Sequence, residues 1–341
     1  MVTKNSLGMT IFAMLLGGCG GGEGQVSTEQ VSNTETPFNS LANDITDVYF
    51  SSRNTDCGEY GDTYRSSVRD LTRVLDFDGY LEIVTEHSCT ISSNNIPNHN
   101  FNDSSANFKT QVAPVERIFN VDPYPELATE ETALSRQMWD GVMLNGVVID
   151  LQSGGCYFPT DPRADEYGNT EAGCPTGVSW RLVPLEYTTK FGVDVHNGHV
   201  QPDGSYHYHG NPNAMFDGAP TGDGSPVIGF AADGFPIFGS YIVDSTTGDY
   251  RKAQSGYTLR EGSRGDRSDT NPGGSFTGVY EKDWEWTGVG DLDECNGMFY
   301  KNQYGYYVTD SYPYILNCYK GSPDSSFGKQ EIRTSSVSHQ N

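Results

Sequence analysis

Apolar residues in this chain come in short runs broken by Gly, Asn, Asp and Pro. They fall at 80–84, 141–144, 146–149, 227–231, 236–238 and 241–243. Runs of three to five residues between turn formers predict short strands. No long segment carries the 3.6-residue apolar stripe of a surface helix; one short helix is expected at 131–139. The Asn145-Gly146 pair between two apolar runs predicts a type I′ hairpin. The pattern predicts a mainly β fold: β-rich with long loops, few short helices, and a single disulfide-bonded domain. No internal repeat is visible. Forty Gly, 17 Pro and 21 Tyr fit many turns and half-buried strands.

The ends read differently. Lys4 precedes a short apolar core at 9–16 that is too short to span a bilayer. It runs into Leu16-Gly17-Gly18-Cys19, which resembles a bacterial lipobox. That resemblance implies cleavage before Cys19 and lipidation of its thiol. Gly20, where Asp is absent, favours the outer membrane. An ordinary secretory signal is the alternative, and either reading exports the chain. The expected organisation is a signal peptide at 1–18, a flexible tether at 19–44, a domain at 45–320 and a disordered tail at 321–341.

Six cysteines remain after Cys19: Cys57, Cys89, Cys156, Cys174, Cys295 and Cys318. An even number in an exported chain implies disulfides. Sequence neighbours give the simplest pairing, 57–89, 156–174 and 295–318. Thiolate metal ligation is the alternative, though no C-x₂-C pair exists. The net charge of −24 argues against nucleic acid as a partner, because phosphates need a basic face. It suits a salty exterior or loosely held Ca²⁺. Membrane contact is expected only through the lipid at Cys19.

Candidate chemistry concentrates in one place. Four of the seven histidines lie within 196–209, as His196, His199, His207 and His209. Strand residues alternate faces, so His207 and His209 share one side and Tyr206 and Tyr208 the other. Asn197-Gly198 and the Pro202-Asp203-Gly204 stretch permit a reversal that returns His196 and His199 to the pair. Four imidazoles suit Zn²⁺ or copper. With three bound, the open position would take water, as catalytic sites do. Asp194 and Asp203 are candidate acceptors for the imidazole N–H groups. The plainer reading is a set of hydrogen-bonded core histidines.

The segment Tyr206-His207-Tyr208-His209 resembles the signature of the YHYH-domain family of secreted bacterial proteins. The resemblance includes 141–146, His199 with 204–210, 228–239, 292–297, 304–309 and 312–319, and is clearest over 137–320. It does not cover 45–136. Relatives often carry a further His in the block that here reads Gly305-Tyr306-Tyr307. The family implies little mechanism.

Asp233 stands inside the apolar run 230–238, where a carboxylate needs an imidazole, a metal or backbone N–H groups. The alternative is a turn aspartate ahead of Gly234. The acidic knot at 291–297, with Asn296, could hold Ca²⁺ or polarise the histidines, or be a solvated loop. Three functions follow. The first is a transition-metal site on His196, His199, His207 and His209, either binding or catalytic. The second is a metal-free hydrolase or sugar-binding surface centred on His207, His209 and Asp233. The third is a Ca²⁺-stabilised surface module.

Overall fold

A computed structural model describes residues 41–329 apart from 87, 188–190 and 221. The signal, Cys19 and most of the tether therefore lie outside the described residues. Two sheets dominate. In the first, strands Asn43–Asp44, Asp62–Asp70, Leu75–Thr85, Cys89–Ser93 and Arg117–Val121 lie side by side in chain order. The first pair is parallel and the rest form an antiparallel meander. Period-two burial explains it: Leu81, Ile83, Ile91, Phe119 and Val121 share the inner face, while Glu82, Thr90 and Asn120 point outward.

The second sheet has eight strands. Their order is Gly198–Val200, Tyr206–Tyr208, Val148–Ile149, Gly141–Met143, Val227–Ala231, Pro236–Phe238, Gln303–Tyr307 and Gly297–Tyr300. Its middle strands are buried along their whole length, as their unbroken apolar runs require. Residues of both sheets join one hydrophobic core. Asparagines fasten the first sheet to the second. Asn95 donates to the Tyr206 carbonyl at 2.6 Å and accepts from the Val148 N–H at 3.1 Å. Ser93 donates to the Gly146 carbonyl at 2.7 Å.

The three disulfides join sequence neighbours: Cys57–Cys89, Cys156–Cys174 and Cys295–Cys318. That removes thiolate ligation by these residues. No helix of the described residues is long and apolar enough to cross a membrane.

Four expectations change. The 131–139 segment is not a helix. Thr132–Ala133 pairs with Cys318–Tyr319, and the Trp139 N–H goes to the Phe327 carbonyl at 2.8 Å, so tertiary pairing overrides a weak helical preference. The Asn145-Gly146 hairpin forms, but its turn is not type I′. The Gly146 N–H bonds the Met143 carbonyl at 2.8 Å, and Gly146 alone in the loop takes positive φ, +83°. That is a type I turn closed by a glycine bulge. Asn43 and Asp44, assigned to the tether, already pair with Tyr64 and Arg65.

The fourth change concerns the expected tail. Residues 321–329 pack: Phe327 is fully buried and stacks on Phe119 with ring centroids 4.6 Å apart. Aromatic burial supplies the order that composition did not suggest. Phe327→Ala is expected to cost about 3–5 kcal/mol, as large aromatic deletions do. Chemical denaturation measures it, and a loss below about 1 kcal/mol would mean that this segment is not anchored.

Candidate functional site

Strands Gly198–Val200 and Tyr206–Tyr208 form an antiparallel hairpin in which His199 lies directly across from His207. Alternation then puts His207 and His209 on the side of His199, and the two tyrosines behind. The Nε2 atoms of His207 and His209 are 3.0 Å apart. The His199 ring centre lies 5.8 Å from that of His207 and 6.1 Å from that of His209. All three line a cleft of about 240 Å³ with Asp150, Gln201, Phe191, Lys109 and Glu171. Trp139 backs the floor, its ring 6.3 Å from that of His207.

Burial governs the charge state. His207 and His209 are pushed well below the usual histidine range, first by burial and then by neighbouring histidines. His199 is lowered to about 4, by burial and then by the Lys109 ammonium. The site is therefore neutral imidazole at pH 7. The Ser205 carbonyl, 3.3 Å from His207 Nδ1, can only accept, so that nitrogen carries the proton. His207 Nε2 then accepts from His209 Nε2–H, which leaves His209 Nδ1 a bare lone pair. That atom has no hydrogen-bond partner; neither has His199 Nδ1, nor Oδ1 of the buried Asp150. The other Asp150 oxygen accepts from Gln201 and Lys329, each at 2.6 Å.

The four-histidine centre is not what forms. His196 packs against His99 with ring centroids 3.9 Å apart and planes tilted by 41°, and its Nδ1 lies 2.9 Å from the Pro212 carbonyl. The Asp194 carboxylate holds the N–H groups of His196 and Gly198, and Asn197 takes φ +57° between them. That tight turn directs His196 away from His199. His99 contacts the Tyr208 hydroxyl at 2.5 Å, so the His99–His196 pair lies behind the YHYH strand. Among the described residues, the group of three donors all within 4.8 Å is Asp56, Cys57 and Cys89, and its cysteines form a disulfide. The histidine trio does not meet that limit as placed; His199 must swing inward to join the pair.

The expected acidic neighbours have other duties. Asp203 pairs with Arg117 at 2.6 Å. Asp194 accepts from the Tyr206 hydroxyl at 2.8 Å. Asp233 accepts from Tyr306 at 2.6 Å and from the Gly321 N–H at 2.9 Å, so both the turn and the backbone readings hold while the imidazole reading does not. Asn296 donates to the Tyr307 and Ile315 carbonyls. In the acidic knot, Asp291 is clamped by Arg251 and Glu294 by Lys320.

Asp150 is the site residue that the sequence reading missed. It carried the signal that singled out Asp233: an acid inside an apolar run, here Val147-Val148-Ile149-Asp150-Leu151. His99 carried none, standing alone among asparagines.

A family model described as "YHYH protein" matches residues 118–321. The match begins at the last strand of the five-stranded sheet and takes in the whole eight-stranded sheet. No curated protein and no solved structure gives a significant match. The chain belongs to the YHYH family.

Proposed function

We propose that this YHYH-family protein binds one divalent transition metal, Zn²⁺ or copper, between His207 and His209. The observation that carries the reading is the pair of buried, neutral Nε2 atoms 3.0 Å apart beside an open cleft. Two nitrogens on one tetrahedral Zn²⁺ stand about 3.3 Å apart, close to the spacing here, and a metal would take the place of the shared proton, which would move to the bare Nδ1 of His209 so that both rings stay neutral. His199, part-exposed with an unpartnered Nδ1, would be the third ligand, leaving a position for water or substrate. Asp150 lines the cleft with a buried, unpartnered oxygen, suited to orient that water. The metal would supply a Lewis acid or a bound hydroxide.

Elemental analysis of protein purified without chelators tests this, with one equivalent of Zn or Cu per chain expected. No bound metal, together with no saturable Zn²⁺ or Cu²⁺ uptake by the purified protein, sinks the reading. One observation would then favour a metal-free base: the bare Nδ1 of His209.

Export belongs to the same proposal. Three disulfides suit an oxidising compartment, and Cys19 would carry the anchor. Cys19→Ser is expected to move the protein from the membrane to the soluble fraction. Normal processing with unchanged membrane retention counts against the anchor.

A further inference from the structure

The strand order of the eight-stranded sheet reads the same from both edges: hairpin, parallel step, hairpin, then hairpin, parallel step, hairpin. The halves meet where Val142 faces Phe230. There Gly141 faces Ala231, and Met143 faces Gly229. Each half also repeats the other's local chemistry. The Met143 N–H bonds the Val147 carbonyl at 2.8 Å, and the Ala231 N–H bonds the Phe235 carbonyl at 2.9 Å. Gly146 and Gly234 close these turns at φ +83° and +86°.

The outer hairpins match as closely. Asp194-Val-His-Asn197-Gly198 corresponds to Asp293-Glu-Cys-Asn296-Gly297. In each, the aspartate accepts from the glycine N–H at 2.9 Å, and the asparagine has positive φ. In each, a tyrosine hydroxyl reaches the aspartate, Tyr206 at 2.8 Å and Tyr304 at 3.0 Å. That tyrosine covers the glycine so closely that an added Cβ would lie 2.1 Å from its oxygen. Tyr208 bonds Asn145 of the first central turn, and Tyr306 bonds Asp233 of the second.

We propose that residues 141–209 and 229–307 are two copies of one unit, related by a pseudo-twofold axis at the Val142–Phe230 pair, and that Arg53 closes the second copy's counterpart of the histidine centre. The correspondence places Met298 at His199, Gly305 at His207, Tyr307 at His209 and Phe238 at Asp150. Arg53 lies with its guanidinium carbon 4.5 Å from the centre of the Phe238 ring, and Phe238 stacks on Tyr307 at 5.0 Å. A fixed cation on aromatic faces thus stands where the first copy offers imidazoles. The inference is independent of any metal at the histidines.

The test uses Arg53→Ala in the full chain. Its melting temperature is expected to fall by roughly 5 °C, since loss of a packed cation leaves the aromatic pair uncovered. Millimolar methylguanidinium should restore part of that loss, because it refills the slot, whereas NaCl at equal ionic strength should not. An unchanged melting temperature, or equal recovery with NaCl, overturns the plug. If Arg53→Ala does not fold, Arg53→Lys keeps the charge and loses the planar fork. It is then expected to melt below wild type, and a melting temperature equal to wild type overturns the plug. The duplication is read from a crystal structure: the two segments should superpose after a rotation near 180°, and failure to superpose overturns it.

Discussion

His207→Ala and His209→Ala should each abolish the saturable uptake of Zn²⁺ or Cu²⁺, while a substitution at His339 should leave it unchanged. Each removes half of a two-nitrogen platform, and His199 cannot replace it from where it stands. If the alanine variants unfold, His207→Gln and His209→Gln keep most of the volume and serve the same comparison. Equal uptake by wild type and the double variant would leave the metal reading without support. The pH profile sharpens the test. An exposed imidazole loses metal to protons as pH falls through about 6.5. Both of these rings are held well below the usual range by burial, so protons compete only in stronger acid. Affinity should stay flat from pH 7 to 6 and fall only in stronger acid. A steep loss already between pH 7 and 6 would mean that the rings are solvated.

The sign for stability runs the same way. The unfolded chain protonates these histidines below about pH 6.5 and the folded chain does not, so their contribution is present above that pH and is lost as pH falls. Each gives up about 1.4 kcal/mol per pH unit. The stability gap between wild type and the double variant should therefore narrow in acid.

Full reduction of the disulfides should unfold the protein at 25 °C or bring it close to unfolding. The bridges span 32, 18 and 23 residues. Chain entropy assigns about 3–4 kcal/mol to each, a sum of about 10 kcal/mol against total stabilities of 5–15. Denaturant titration of protein whose thiols have been counted measures the effect. A loss under about 2 kcal/mol after full reduction would show that packing alone holds the sheets.

The sequence showed the parts of the site that follow from alternation. His-x-His in a strand must share a face, and the tyrosines between must be buried behind. Neighbouring cysteines paired because each loop folds back locally. What was hidden depends on distant partners. His196 looked equivalent to His199, but the Asp194 turn between them sends it to His99, nearly a hundred residues earlier in the chain. Residues 321–329 looked polar and loose because one phenylalanine, Phe327, supplies their anchor. The internal repeat escaped notice because the copies do the same work with different residues. Asn145 and Asp233 both hold a tyrosine hydroxyl, yet they share no side chain, and inserts of unlike sequence separate the hairpins.

Trp139 gives the site an optical handle. Its indole is buried, near the His207 ring and covered by the Lys329 ammonium at 4.6 Å from the ring centre. Cu²⁺ held by His207 would sit within contact-quenching range of this indole and darken it. The binding event would then be visible in the native fluorescence of the unlabelled protein. A cation entering beside Asp150 would also loosen Lys329 by charge repulsion, so the emission would register both the ion and the release of the chain segment that covers it.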